Sequence, residues 1–91
     1  MNYVWEFKML VEIKMPKWGM MMKEAAIIQW FKKEGDIVKK GEPLLEAEAE
    51  KIVNAVEAPV SGRLIKIIAK EGEIYPVGAT LGLIEPEGGV N

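Results

Sequence analysis

Lys51 stands between a run of carboxylates and a run of β-branched residues, in the stretch Leu-Leu-Glu-Ala-Glu-Ala-Glu-Lys-Ile-Val-Asn-Ala-Val-Glu over positions 44–57. A lysine offers one primary amine, which can act as a nucleophile. Attacking lysines are activated by desolvation or by neighbouring cations. Glu48 and Glu50 supply neither, so catalysis by Lys51 itself is not expected. Most lysines are solvated surface residues; what sets this one apart is the framework on either side of it. Leu45, Ala47 and Ala49 alternate with Glu46, Glu48 and Glu50, the period-two pattern of a half-buried strand with an acidic outer face. Past Lys51, Val53 and Ala55 alternate with Ile52, Asn54 and Val56. Two strands with Glu50 and Lys51 between them form a hairpin with a lysine at its tip, although neither residue is the Gly or Asn that two-residue turns favour.

Composition narrows the function classes. The chain has 91 residues, the size of one small domain, and buries somewhat over ~60% of its unfolded surface. It has no cysteine and no histidine, so no disulfide holds it and the commonest metal ligands and general base are missing. A net charge of −2 with no basic run argues against nucleic acid as a partner. No apolar run approaches the ~20 residues that span a bilayer. Glu6 and Lys8 interrupt the first ten residues, which gives no secretory signal core. A cytoplasmic, soluble domain is expected.

Every odd position from Tyr3 to Met15 is apolar, a strand period longer than one ordinary strand. The reading is a first strand over 10–15 and a strand-like extension before it. Pro16 ends that strand and Gly19 opens a turn. The connection over 17–23 holds Trp18, Met20, Met21 and Met22. Connections run over the surface, so these side chains either fold back onto the core or make a contact patch. Further strands are expected over 25–31, 63–68 and 80–85. Pro43 sits where the acidic strand starts, and the Pro- and Gly-containing stretch 86–91 reads as a tail or linker.

The chain repeats itself at an offset of 37. Ile28, Lys33, Glu34, Gly35, Ile37, Gly41, Leu44 and Glu48 fall on Ile65, Lys70, Glu71, Gly72, Ile74, Gly78, Leu81 and Glu85. These eight identities in the window 25–48 compare with roughly one or two expected from residue frequencies. Each half runs a strand into Lys-Glu-Gly, a short Gly-to-Gly piece and a second strand. Two such halves predict an all-β fold, a small sandwich or flattened barrel with pseudo-two-fold symmetry. The repeat breaks at Lys51, whose counterpart is Gly88.

Taken together, Met15-Pro16, Trp30, the Gly-Asp-x-Val-x-x-Gly segment over 35–41, Glu48 at −3 and Glu50 at −1 make the chain resemble the lipoyl domain of 2-oxoacid dehydrogenase acyltransferases, within the biotinyl/lipoyl carrier family. Gly35, 16 residues before Lys51, and Gly62, 11 after it, fall at the family's spacing. Ala49, Glu50 and Ile52 depart from the family's usual Thr or Ser, Asp and Ala. Biotinyl relatives flank their lysine with Met, which this chain does not.

The resemblance implies two antiparallel four-stranded sheets, the barrel-sandwich hybrid, over residues 10–85, with 1–9 as an extension and 86–91 as a tail. It implies lipoic acid in amide linkage to Lys51, with Glu48, Glu50, Gly35 and Gly62 in recognition and Gly35 in a turn beside the hairpin. The implied partners are a lipoate-attaching enzyme, a thiamine-diphosphate 2-oxoacid decarboxylase, an acyltransferase core and a dihydrolipoyl dehydrogenase. The connection after the first strand then lies beside the hairpin, which makes Trp18, Met20 and Met21 candidate partner contacts. The alternatives are a biotinyl carrier and an unmodified structural or interaction module.

Overall fold

The structure, a computed structural model, describes residues 9–87; the extension expected over 1–9 lies outside them except for Met9, and the tail expected over 86–91 except for Pro86 and Glu87. Eight strands follow in order: β1 (Val11–Lys14), β2 (Glu24–Trp30), β3 (Ile37–Val38), β4 (Pro43–Ala49), β5 (Ile52–Glu57), β6 (Gly62–Ile67), β7 (Ile74–Pro76) and β8 (Thr80–Pro86). They form two four-stranded antiparallel sheets, ordered β1-β8-β6-β3 and β5-β4-β2-β7, and no closed barrel. β1, β2, β6 and β8 sit within a residue or two of the expected bounds, and β4 and β5 are the two strands expected around Lys51; β3 and β7 fall in the short Gly-to-Gly pieces, for which no strand was expected.

The sequence repeat is a structural repeat. Adding 37 to β2, β3 and β4 lands on β6, β7 and β8, and exchanging those pairs together with β1 and β5 turns one sheet order into the other. Backbone hydrogen bonds obey the same operation. Gly35 N–H donates to Leu64 O at 2.7 Å, and Gly72 N–H donates to Ile27 O at 2.7 Å. Glu34 accepts from Ile67 N–H at 2.8 Å, and Glu71 accepts from Trp30 N–H at 2.9 Å. Lys-Glu-Gly recurs because its glutamate reaches across to satisfy a backbone donor of the other half. Its glycine takes the left-handed backbone that closes the turn, with φ of 99° at Gly35 and 88° at Gly72.

The core lies between the sheets. Ile13, Met15, Ile27, Val38, Leu44, Leu45, Leu64, Leu81 and Ile84 are its largest buried side chains. Consecutive Leu44 and Leu45 both turn inward, which strict alternation forbids. A shift in the β4–β5 register between Pro43 and Leu45 permits it. At the same place in the other half stands Gly82. A Cβ there would lie 2.8 Å from Lys66 O and 3.2 Å from the Trp30 ring. The Trp30 ring passes over that glycine, and its Nε1–H donates to Ala69 O at 3.0 Å.

Candidate functional site

The lysine hairpin is built as tightly as a hairpin can be. Glu48 pairs with Val53 and Ala49 with Ile52, leaving Glu50 and Lys51 as the whole loop. Their φ angles are 48° and 69°. Positive φ at both central positions is the requirement of a type I′ turn, whose twist matches the strands it joins. Such turns usually contain Asn or Gly because an L side chain in left-handed backbone costs about 1–2 kcal/mol. Here two ordinary residues carry that strain, and the six-pair ladder between β4 and β5 holds them in it. Lys51 is exposed and makes no hydrogen bond or ion pair among the described residues. Its side chain is open to solvent.

The alternation expected along β5 holds, and the structure assigns its faces. Asn54 and Val56 face inward, whereas Val53 and Ala55 face solvent. The hairpin therefore offers an outward surface of Glu48 and Glu50 beside Val53, with Ile52 also exposed. Glu46 accepts from Gln29 Nε2 at 3.3 Å. Glu48 and Glu50 have no such partner among the described residues.

The connection between β1 and β2 lies against this hairpin, as expected. Trp18, Met20, Met21 and Met22 share with Ala49, Glu50, Ile52 and Asn54 the walls of an open cleft of about 330 Å³. A second cleft, of about 530 Å³, is lined by Met21, Glu24, Ala26, Glu48, Glu50 and Ile74 among others. The apolar side chains of the connection divide their work. Met22 is 9% exposed and joins the core, and its Sδ accepts from Trp18 N–H at 3.3 Å. Trp18 is half-buried against the core. Met20 and Met21 are 89% and 78% exposed.

Gly35 does not sit beside the lysine. β2 runs antiparallel to β4, with Ala26 opposite Glu48 and Trp30 opposite Leu45. The turn after β2 therefore lies past the start of β4, away from the tip. Gly62 lies at that same end: Arg63 donates through Nη1 to Gly35 O at 2.7 Å, and Gly62 pairs with Pro86. Spacing along the chain carried no information about which end of a sandwich a turn occupies. Both glycines are required by the backbone. Gly35 has φ of 99°, and a Cβ on Gly62 would collide with the Glu85 carbonyl.

Comparison with known proteins fits this geometry. The biotin/lipoyl family profile, described as "Biotin-requiring enzyme", matches residues 11–84. The chain belongs to the biotinyl/lipoyl carrier family. Within that family it is 44% identical over 77 residues to the dihydrolipoyllysine-residue acetyltransferase component of the acetoin cleaving system of Cupriavidus necator, covering 85% of this chain and 21% of the relative. To the dihydrolipoyllysine-residue succinyltransferase component of the 2-oxoglutarate dehydrogenase complex of Bartonella vinsonii it is 46% identical over 77 residues, 85% of this chain and 19% of the relative. The chain thus spans about a fifth of the length of these curated relatives. The solved lipoyl domain of the 2-oxoglutarate dehydrogenase complex from Azotobacter vinelandii superposes with a TM-score of 0.67 at 31% identity, over 85% of this chain and 99% of that one. A single-chain long-chain acyl-CoA carboxylase superposes with a TM-score of 0.75 at 16% identity, over 93% of this chain and 8% of that one, a likeness of fold.

Glu24, Ala26 and Ile74 were not singled out from the carrier's sequence, yet they line the larger cleft beside the hairpin. The signal that would have found Ile74 is the repeat, which sets it opposite Ile37 in the other half. Nothing local marks Ala26.

Proposed function

We propose that this chain is a lipoyl carrier domain and that Lys51 is the residue that bears the lipoyl group. The observation that carries the reading is the exposed Lys51 amine, without a partner among the described residues, at the apex of a strained two-residue turn, in a chain related to dihydrolipoyl acyltransferase components. The residues fit the group. An attaching enzyme can reach Nζ without moving any described side chain, and the rigid ladder beneath prevents the stem from folding into the core. When bound, a lipoyl group supplies a dithiolane on a long arm that accepts an acyl group at one active site and gives it up at another. The domain's own residues hold, present and tether that arm, and tethering replaces diffusion by a high effective concentration at each station. The domain catalyses nothing itself; the chemistry belongs to the cofactor and the partner enzymes.

In this reading Glu48 and Glu50 mark the hairpin for the lipoate-attaching enzyme. Trp18, Met20 and Met21 form the face that meets the thiamine-diphosphate decarboxylase, an exposed thioether surface with one anchored aromatic. Gly35 and Gly62 serve recognition only by supporting the fold. The acyltransferase core and the dihydrolipoyl dehydrogenase complete the circuit, which runs in the cytoplasm. Residues 10–85 form the carrier unit, with 1–9 as an extension and 86–91 as the start of a linker.

The test is incubation of the purified chain with lipoate, ATP and a lipoate ligase, followed by mass measurement. Wild type is expected to gain one lipoyl group and Lys51→Arg none, with both variants equally folded. Equal modification of the two would remove Lys51 from its role.

A further inference from the structure

The cleft of about 530 Å³ beside the lysine hairpin has a twin in the other half of the molecule. The twin is lined by Ile37, Lys39, Gly62, Arg63, Glu85, Pro86 and Glu87. Subtracting 37 from Gly62, Arg63, Glu85, Pro86 and Glu87 gives Ala25, Ala26, Glu48, Ala49 and Glu50, and adding 37 to Ile37 gives Ile74. All six line the first cleft.

The strand registers agree. Across one sheet Ile37 stands opposite Arg63 and Arg63 opposite Glu85. Across the other, Ile74 stands opposite Ala26 and Ala26 opposite Glu48. The isoleucines are equally exposed, at 58% and 59%. The two rows differ in their middle member. In the twin, the Arg63 guanidinium crosses to the Gly35 carbonyl at 2.7 Å. In the lysine-bearing half that position is an alanine. Among the described residues Glu48 has no ion pair or hydrogen bond, and no side chain donates to the Gly72 carbonyl, the counterpart of Gly35 O.

We propose that the row Ile74–Ala26–Glu48 is a receptor slot for an arginine side chain of the lipoate-attaching enzyme, whose guanidinium takes the place that Arg63 holds in the other half. The slot has the parts such a group needs. Glu48 offers a carboxylate for charge-assisted hydrogen bonds, the Gly72 carbonyl offers a second acceptor, and Ile74 offers an apolar wall for the arginine stem. The small Ala26 leaves the space.

The position selects the partner. Ala49 and Glu50 form the slot's other wall and lead directly into Lys51. An enzyme that must bring its active centre to the Lys51 nitrogen itself works within a side chain's length of this wall. Enzymes that act at the far end of a lipoyl arm do not need to approach so closely.

The inference rests on Lys51 being the lipoylated residue, and its test separates the two. The kcat/KM of lipoylation by an ATP-dependent lipoate ligase is followed by intact mass for wild type, Ala26→Arg, Ala26→Gln and Glu48→Gln. Ala26→Arg supplies the guanidinium from within, so its melting temperature should equal or exceed that of wild type while its kcat/KM falls about tenfold. Glu48→Gln, which fills no space, should lower kcat/KM and flatten its dependence on salt. Ala26→Gln, with bulk and no charge, should lose clearly less than Ala26→Arg. Equal losses for the Arg and Gln variants would reduce the effect to steric blockage and overturn the proposal. So would an unchanged rate in Ala26→Arg or in Glu48→Gln. Absence of any adduct on wild-type Lys51 would overturn the carrier reading itself, and this inference with it.

Discussion

Glu50 and Lys51 together make up the entire β4–β5 loop, and both lie in left-handed backbone, with φ of 48° and 69°. The strain at Lys51 cannot be relieved without deleting the amine, because the residues that accept such backbone freely are Gly and Asn. The strain at Glu50 can be relieved.

Glu50→Asn should therefore stabilise the domain by about 0.5–1 kcal/mol. In a domain of this size that raises the melting temperature by a few degrees, about 4–8 °C per kcal/mol. Thermal unfolding followed by circular dichroism reads this directly. A melting temperature at or below that of wild type would mean that the left-handed conformation at position 50 is not costly.

The methionines of the β1–β2 connection should separate by burial. Met20→Ser combined with Met21→Ser removes two side chains that are 89% and 78% exposed, so the melting temperature should move by less than about 0.5 kcal/mol equivalent. Reductive acylation by the decarboxylase should weaken. Met22→Ala empties a buried position and should cost about 2 kcal/mol or more. A large loss of stability from the exposed pair, with normal acylation per folded molecule, would contradict this division.

Gly62→Ala tests the close approach of β6 to β8. Its new Cβ would be driven into the Glu85 carbonyl and the Ile84 side chain. Backbone on a paired strand yields little, so a loss of about 1–3 kcal/mol is expected. Gly19→Ala meets nothing within 4 Å and should be close to neutral. Equal effects of the two substitutions would contradict the packing described.

Lys32 and Glu42 give the fold a defined response to acid. Lys32 Nζ lies 2.7 Å from Glu42 Oε2, and Lys39 N–H donates to Glu42 Oε1 at 2.9 Å. The Lys32 hydrogen bond, and then that from Lys39, hold the Glu42 carboxyl below its ordinary value of 4.5. A group depressed in the folded state stabilises fully above its unfolded value, and the contribution disappears as pH falls through the folded value. The Glu42 hydrogen bond raises Lys32 above 10.5, so its contribution holds below that pH and is lost only in stronger alkali. The stability difference between wild type and Glu42→Gln should thus be constant near neutrality and shrink below pH 4.5. A difference that grows on acidification would contradict the pairing.

Much of this architecture is legible in the amino-acid sequence. The offset of 37 placed β2 over β6 and β4 over β8, because identical residues such as Gly35 and Gly72 perform identical backbone tasks. The hairpin around Lys51 followed from the alternation of Leu45, Ala47 and Ala49. Its turn type was not legible, because Glu50 and Lys51 lack the residue types that announce a type I′ turn, and the ladder imposes the conformation. The inward face of β5 was hidden by its small and β-branched residues, which suit either face. The placement of Gly35 and Gly62 away from the tip required the strand registers. Ala26 is marked only by its equivalence to Arg63 in the twin cleft, since an alanine in a strand carries no signal of its own.

The measurement that tests the central claim most directly is the intact mass of the protein recovered from its own source, followed by peptide mapping of the adduct. A single lipoyl group is expected, located on Lys51 and absent from Lys51→Arg produced in the same cells. An unmodified Lys51 in cells whose other lipoyl proteins are fully loaded would contradict the account. So would a biotinyl adduct, or a lipoyl group on any other lysine.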